Sequence, residues 1–100
     1  MKIITTGVAG TMESSDIIVT IEPKETSGVE LELESDVMQQ FGKQIEKVIR
    51  ETLGELGVDS AYVKAVDKGA LDCTVAARTM AAAYRAAEST DYVFKEVTKK

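Results

Sequence analysis

Few residues in this chain have side chains able to do chemistry, and Ser14 is the most informative of them. It lies in residues 10–16, whose sequence is GTMESSD, between a small-residue N-terminus and an alternating apolar run. The chain has no histidine, and serine or cysteine nucleophiles commonly depend on a positioned histidine to become reactive. The Ser14 hydroxyl is therefore better interpreted as an attachment point than as a nucleophile.

Two other interpretations of this segment are weaker. A Ser-Lys catalytic pair would need Lys2 or Lys24, the only lysines near Ser14 in sequence, and neither stands at a suggestive spacing. Residues 7–11, GVAGT, carry two glycines but lack the lysine and the following helix of a phosphate-binding loop. Acids on both sides of Ser14 would also repel a free phosphate. We predict no catalytic residue, although an independent hydrolase using Ser14 stays a formal alternative.

Cys73 is the only cysteine, which excludes an intramolecular disulfide and, without histidine, a usual zinc site. It alternates with Leu71 and Val75, a pattern that predicts a buried core thiol. Residues 59–61, DSA, are only superficially similar to the Asp-Ser-Leu attachment motif of common acyl carrier proteins, because a strand-like run follows Ser60 and leucine is absent.

Length and charge restrict the class of protein. One hundred residues, 44% of them hydrophobic, suit a single domain over residues 1–100. The 12 basic and 17 acidic residues give a net charge of -5, which disfavours nucleic acid as a partner. Eight acids lie between Glu13 and Asp36 against Lys24 alone, so this surface should attract basic protein faces. The apolar runs are too short for a signal peptide or for the roughly 18 residues of a membrane span, so we expect a cytoplasmic protein.

Two alternating segments predict strands in the N-terminal half. Residues 17–22 place β-branched side chains on one face until Pro23 intervenes. Residues 29–34, VELELE, alternate without a fault, so three glutamates should face water. A short turn-prone segment separates the two strands, and we predict that they form a hairpin.

A long helix is predicted to follow, capped by Asp36 and ended by Gly57. Its apolar residues recur at three- and four-residue steps: Val37, Phe41, Ile45, Val48, Ile49, Leu53 and Leu56. Residues 61–66 and 71–75 then predict a second hairpin around a tight turn at 67–70.

The last predicted element is an alanine-rich helix from Ala76 to about Glu88, with Met80, Tyr84 and Ala87 on one face and side chains small enough for close packing on a sheet. The order strand, strand, helix, strand, strand, helix predicts an α+β sandwich with helices packed on a mainly antiparallel sheet. Residues 1–15 should form an N-terminal loop bearing the attachment serine, and residues 90–100 a flexible tail.

Three segments together resemble the acyl carrier (gamma) subunit of citrate lyase. They are residues 8–16 (VAGTMESSD), 40–42 (QFG) and 67–73 (DKGALDC). Their order and spacing match the family over nearly the whole chain, from Met1 to about Ala87.

The resemblance implies a non-catalytic carrier in a hetero-oligomer that breaks down citrate. Ser14 would hold a phosphoribosyl dephospho-coenzyme A arm through a phosphodiester, placed there by a prosthetic-group transferase. The terminal thiol of the arm would carry acetyl. The alpha subunit would exchange acetyl for citryl, and the beta subunit would cleave citryl to oxaloacetate. Chemistry alone leaves Ser14 and Ser15 both open, and the family motif favours Ser14.

Two alternatives to this carrier remain open from the sequence. The carrier subunit of malonate decarboxylase uses the same kind of arm, and loading with citryl or malonyl groups would distinguish the two. A small binding or regulatory module without a covalent group is the other alternative, and the mass of the whole chain would identify it.

Overall fold

Four strands and two helices form the part of the chain that the computed structural model describes, residues 1–87. In chain order they are β1 (Gly7–Ala9), β2 (Ile17–Glu22), β3 (Gly28–Ser35), α1 (Met38–Glu55), β4 (Ser60–Asp67) and α2 (Asp72–Ala86). The predicted α+β class, with helices on a mainly antiparallel sheet, is confirmed. The predicted tail at residues 90–100 lies outside the described residues.

The strands lie side by side in the order β1-β2-β4-β3, so β4 separates the two strands predicted to form the first hairpin. β2 runs antiparallel to β4, and β3 runs parallel to it. The predicted hairpin is therefore wrong. Alternation determines which face of a strand is buried, but it does not determine the neighbouring strand. Residues 23–27 instead cross the end of β4, where the Ser60 hydroxyl donates to the Lys24 carbonyl at 2.6 Å.

Helix α1 is the crossover that a parallel β3–β4 pair requires. Its buried side includes Ile45, Ile49 and Leu53, as the periodicity predicts. Phe41 belongs to the same predicted stripe, yet 53% of its surface is exposed. The N-terminal part of the apolar stripe is therefore only partly covered by the rest of the fold.

The ends of α1 agree with the prediction only in part. The predicted Asp36 cap is wrong: the helix makes no side-chain cap bond, and the Ser35 hydroxyl accepts the Val37 N–H at 3.0 Å. Gly57 ends the helix as predicted, with a positive φ of 73° that glycine adopts without strain.

The second predicted hairpin is also wrong, because residues 72–75 begin α2 instead of forming a strand. The predicted turn at 67–70 is present, with Gly69 at a φ of 89°. A five-residue alternating run is too short to separate the two periodicities. As a consequence, Cys73 is an exposed residue in the first turn of α2, and the predicted buried thiol is a further correction.

Small side chains let α2 lie close to the sheet, as expected from its alanine content. Its buried residues are Val75, Thr79, Ala82, Ala83 and Ala86. The predicted face is not the buried one: Met80 is 38% exposed, and Tyr84 and Ala87 are only half-buried. The close packing face is therefore made by small residues, whereas the longer Met80 side chain lies outside it.

The N-terminal segment contains a strand that the sequence did not predict, so residues 1–15 are not a loop throughout. In β1, a Cβ on Gly7 would lie 2.2 Å from the Ala82 carbonyl oxygen. The N–H groups of Ile4 and Thr5 both donate to the Ala86 carbonyl at 2.9 Å. β1 and the residues before it are therefore held against the C-terminal half of α2.

The opposite edge of the sheet is acidic and faces water. On β3 the glutamates at positions 30, 32 and 34 are exposed, as predicted, and the apolar residues between them are half-buried against the core. Neither of the two described helices is long and apolar enough to cross a membrane.

Candidate functional site

Ser14 lies in the loop that joins β1 to β2, called here the serine loop (residues 10–16). The Asp16 N–H donates to the Glu13 carbonyl at 3.1 Å, which closes a four-residue turn with Ser14 and Ser15 in its two central positions. Both serines are exposed. Within residues 1–87 the Ser14 hydroxyl makes no hydrogen bond, so it is open to a modifying enzyme.

The backbone beside Ser14 is fixed by the neighbouring turn at residues 67–70. The Ser15 N–H donates to the Lys68 carbonyl at 2.7 Å, and the Lys68 N–H donates to the Asp16 carbonyl at 2.8 Å. These bonds continue the β2–β4 ladder into the loop. Ser15 has a φ of 66°, a conformation uncommon outside glycine. The backbone of Ser15 is thus held by the fold, and the exposed Ser14 is its immediate neighbour.

Asp16 anchors the serine loop through its side chain. Its carboxylate accepts the Thr11 hydroxyl at 2.7 Å and the Ile17 N–H at 2.7 Å. Arg78 of α2 completes the set, since Nε donates to Oδ1 at 3.0 Å and Nη2 donates to Oδ2 at 2.9 Å. Paired charged hydrogen bonds of this kind are strong and directional. They fasten both ends of the loop to the first helical turns of α2.

The same contacts determine the protonation of the site. Hydrogen bonds from Arg78, Thr11 and the Ile17 N–H hold the pKa of Asp16 far below its usual range. The pKa of Arg78 is raised by its bond to Asp16. The sequence suggested that Asp16 would repel a phosphate beside Ser14. In the structure the guanidinium of Arg78 offsets that charge, so the expected repulsion is reduced to that of Glu13.

Gly10 allows the chain to leave β1 and enter the serine loop. Its φ is 104°, and a Cβ at this position would lie 1.8 Å from the Ile17 carbonyl oxygen. Both the backbone conformation and the close approach to β2 therefore require glycine.

A second aspartate organises the turn next to the serine loop. Asp67, opposite Ile17 at the end of the β2–β4 ladder, is fully buried. Its carboxylate accepts the Ser35 hydroxyl at 2.9 Å and the N–H groups of Gly69 at 3.0 Å and Ala70 at 2.9 Å. The end of β3, the turn and the start of α2 are thereby held together beside Ser14.

The sequence identified Ser14 but not the side chains that position it. Arg78 and Asp16 are 62 residues apart, and only the packing of α2 on β2 brings them together. The sequence signal that could have pointed to Arg78 was the presence of an arginine within an alanine-rich helix. The hydroxyl of Ser60, in the segment that only superficially resembles another attachment motif, already donates to the Lys24 carbonyl. Residues 1–87 contain no cluster of three or more side chains suited to hold a metal ion.

Comparison with known proteins gives a consistent family. Residues 4–86 match the acyl carrier family model described as malonate decarboxylase delta subunit (MdcD). The chain is 57% identical over 97 residues to the citrate lyase acyl carrier protein of Streptococcus mutans, covering 97% of this chain and 95% of that one. It is 54% identical over 94 residues to the protein of the same name from Fusobacterium nucleatum, covering 94% of this chain and 100% of that one.

The fold is shared more widely than the sequence. A chain in the crystal structure of a Pseudomonas malonate decarboxylase hetero-tetramer in complex with malonate superposes with a TM-score of 0.68. The match covers 85% of this chain and 91% of that one at 15% identity, which shows a common fold alone. On the much higher identity to the carriers named above, this chain belongs to the citrate lyase acyl carrier protein family.

Proposed function

We propose that this protein is the acyl carrier subunit of a citrate lyase and that Ser14 is the residue to which its prosthetic group is attached. The observation that carries the proposal is the exposed Ser14 hydroxyl, unbonded within residues 1–87, in a loop whose backbone is fixed on both sides. The names of the relatives support the carrier role. This arrangement presents an accessible hydroxyl at a fixed position to a modifying enzyme.

The surroundings of Ser14 support a non-catalytic role for the polypeptide. Asp16 is a poor general base because its pKa is held low and both carboxylate oxygens already accept hydrogen bonds. Arg78 is already in an ion pair with Asp16. Activation of the Ser14 hydroxyl therefore belongs to the prosthetic-group transferase, and this chain holds and presents the product.

The attached group is proposed to be phosphoribosyl dephospho-coenzyme A, joined to Ser14 by a phosphodiester. When bound, this group supplies the thiol that carries acetyl and citryl as thioesters. The site is compatible with an anionic link, because Arg78 offsets the charge of Asp16 beside Ser15. A tether on a fixed loop also keeps the thioester at a high effective concentration near successive active sites.

The proposed partners are the alpha subunit, which transfers the acyl group, and the beta subunit, which cleaves citryl to oxaloacetate. The acidic face of β3 offers these subunits a surface complementary to basic residues. Its exposed carboxylates favour rapid encounter more than tight binding. Assembly into a hetero-oligomer and a cytoplasmic location stay predictions.

Mass spectrometry of the intact chain tests the attachment. Protein produced together with its native modifying enzymes should be heavier by one dephospho-coenzyme A derivative, and peptide mapping should place the group on Ser14. Ser14→Ala should remove the added mass. Ser15→Ala is the matched control and should retain it. An unmodified wild-type chain under these conditions would contradict the proposal.

A malonate decarboxylase carrier is the second candidate, favoured by the name of the matching family model and by the shared fold. The identity of 57% to a citrate lyase carrier, against 15% to the malonate decarboxylase chain, supports citrate. The modified protein should accept citryl from the alpha subunit. Loading with malonyl but not citryl would reverse the assignment.

A further inference from the structure

An apolar groove opens between the N-terminal part of α1 and the start of α2. Its volume is about 540 Å³, and its lining includes Val37, Phe41 and Ile45 on one side and Ala70 and Leu71 on the other. Phe41 is 53% exposed and Leu71 is 70% exposed. Large apolar side chains that face a concave surface of this size are typical of a binding site for a small molecule.

The groove lies close to the proposed attachment residue. Ser14 precedes Ser15, whose N–H bonds to the Lys68 carbonyl at 2.7 Å. Leu71 follows Lys68 by three residues, so their Cα atoms are at most roughly 11 Å apart. The loop that carries Ser14 is therefore bonded directly to the turn that leads into the groove, and a group attached to Ser14 would start beside that turn.

The chemistry of the lining favours an uncharged, flat group over a phosphate. No cationic side chain is among the described residues that line the groove, and Asp72 contributes a carboxylate. Gln44 donates to Asp72 through Nε2 at 2.8 Å, which leaves its carbonyl oxygen able to accept a hydrogen bond. Phe41 offers an aromatic ring against which a second ring can stack. An aromatic base with an amino group matches these features.

We propose that the groove binds the nucleoside portion of the covalent arm, with the adenine ring against Phe41 and Leu71. The inference rests on the proposed attachment at Ser14. In dephospho-coenzyme A the adenosine is joined through a diphosphate to pantetheine, which ends in the thiol. With the phosphoribosyl end at Ser14, the adenosine is the part nearest the groove, and the diphosphate and pantetheine extend into solvent.

Binding of the nucleoside in the groove changes how the arm moves. The pivot lies at the groove, and only the diphosphate and pantetheine swing between active sites. A shorter mobile tether confines the thiol to a smaller volume and raises its effective concentration at each partner. The groove thus gives the polypeptide a positioning role in addition to providing the attachment hydroxyl.

Nuclear magnetic resonance on the modified protein tests the groove directly. The sample is isotope-labelled holo-protein whose modification has first been verified by mass, compared with the unmodified chain. We expect nuclear Overhauser contacts between the adenine protons and the methyl groups of Leu71 and Val37, with shift changes at residues 69–73. Phe41→Ala should abolish these contacts. Tyr62→Ala, which removes an aromatic ring 45% exposed on the opposite face of the sheet, should leave them intact.

The outcomes separate this inference from the proposed function. Full modification with shift changes confined to residues 12–16 would overturn the groove assignment and leave the carrier role standing. Groove shifts that appear only when a partner subunit is added would assign the groove to docking and also overturn it. Failure to gain any mass would contradict the attachment itself and, with it, the inference.

Discussion

At the scale of single residues, the structure changes the meaning of the acids beside Ser14. From the sequence alone, Asp16 was a charge that opposed a phosphate. In the fold it is the anchor of the serine loop, and its charge is offset by Arg78. The site therefore depends on one long-range ion pair more than on its nearest neighbours in sequence.

The Asp16–Arg78 pair should make stability depend on pH in a defined direction. Since the pKa of Asp16 is lowered by folding, its contribution is present above the unfolded value of about 4 and is lost as pH falls toward the folded value. Arg78→Met should lower the free energy of unfolding at pH 7, and the difference from wild type should narrow below about pH 4. Urea unfolding measured from pH 7 to pH 3 checks both statements.

Arg50→Met provides the matched control for this experiment. Arg50 bonds to Glu46 one helical turn away, with both side chains nearly half exposed, and it donates to the Val29 carbonyl at 3.2 Å on the surface. Its exposed ion pair should contribute no more than about 0.5 kcal/mol. Equal losses for the two arginine variants would contradict the anchoring role of Arg78.

Gly10 gives a second prediction at this scale, with Gly69 as its control. Both have positive φ, but a Cβ on Gly10 would meet the Ile17 carbonyl at 1.8 Å, whereas nothing lies within 4 Å of one on Gly69. Gly10→Ala should cost about 3 kcal/mol or more, through backbone strain and steric overlap. Gly69→Ala should cost about 1 kcal/mol, through strain alone. Denaturant unfolding compares the two variants. Similar losses in the free energy of unfolding would exclude steric overlap as the reason that position 10 requires glycine.

At the scale of elements, the sequence predicts which face of a strand or helix is buried better than it predicts which strands lie side by side. Alternation identified β2 and β3, and helical periodicity identified α1 and its buried residues. The pairing of both strands with β4 was missed, because side-chain alternation carries no information about which strand lies alongside. The start of α2 was missed because residues 71–75 are too few to distinguish the two periods.

Two glycines test how closely the elements are packed. Gly54 lies in α1, and a Cβ added there would have no neighbouring atom within 4 Å, so Gly54→Ala should raise the free energy of unfolding by about 0.5–1 kcal/mol through helix propensity. Gly7 lies against the backbone of Ala82 and Ala86, so Gly7→Ala should lower it by about 1–3 kcal/mol. Thermal unfolding of both variants measures the two signs, and stabilisation by Gly7→Ala would contradict the contact between β1 and α2.

At the scale of the whole molecule, the fold brings three distant segments to one end of the sheet. The serine loop, the turn at residues 67–70 and Arg78 of α2 meet there through the hydrogen bonds around Asp16 and Lys68. The sequence pointed to Ser14 because the chain lacks histidine and because residues 8–16 resemble a known carrier. It did not reveal the supporting contacts, since these exist only once the three segments are adjacent. Nor did it reveal the apolar groove, which forms only where the N-terminal part of α1 lies beside the start of α2.

In the proposed function the reactive sulfur belongs to the arm, and the polypeptide itself performs no chemistry. Cys73 is the only cysteine of the chain and is exposed, so it can be replaced without disturbing the core. The decisive measurement is the number of free thiols per chain in modified, deacylated Cys73→Ser protein. We predict one thiol, which disappears when Ser14→Ala is added. A Cys73→Ser protein that carries the mass of the arm but no thiol, or a thiol that persists without Ser14, would contradict the proposal.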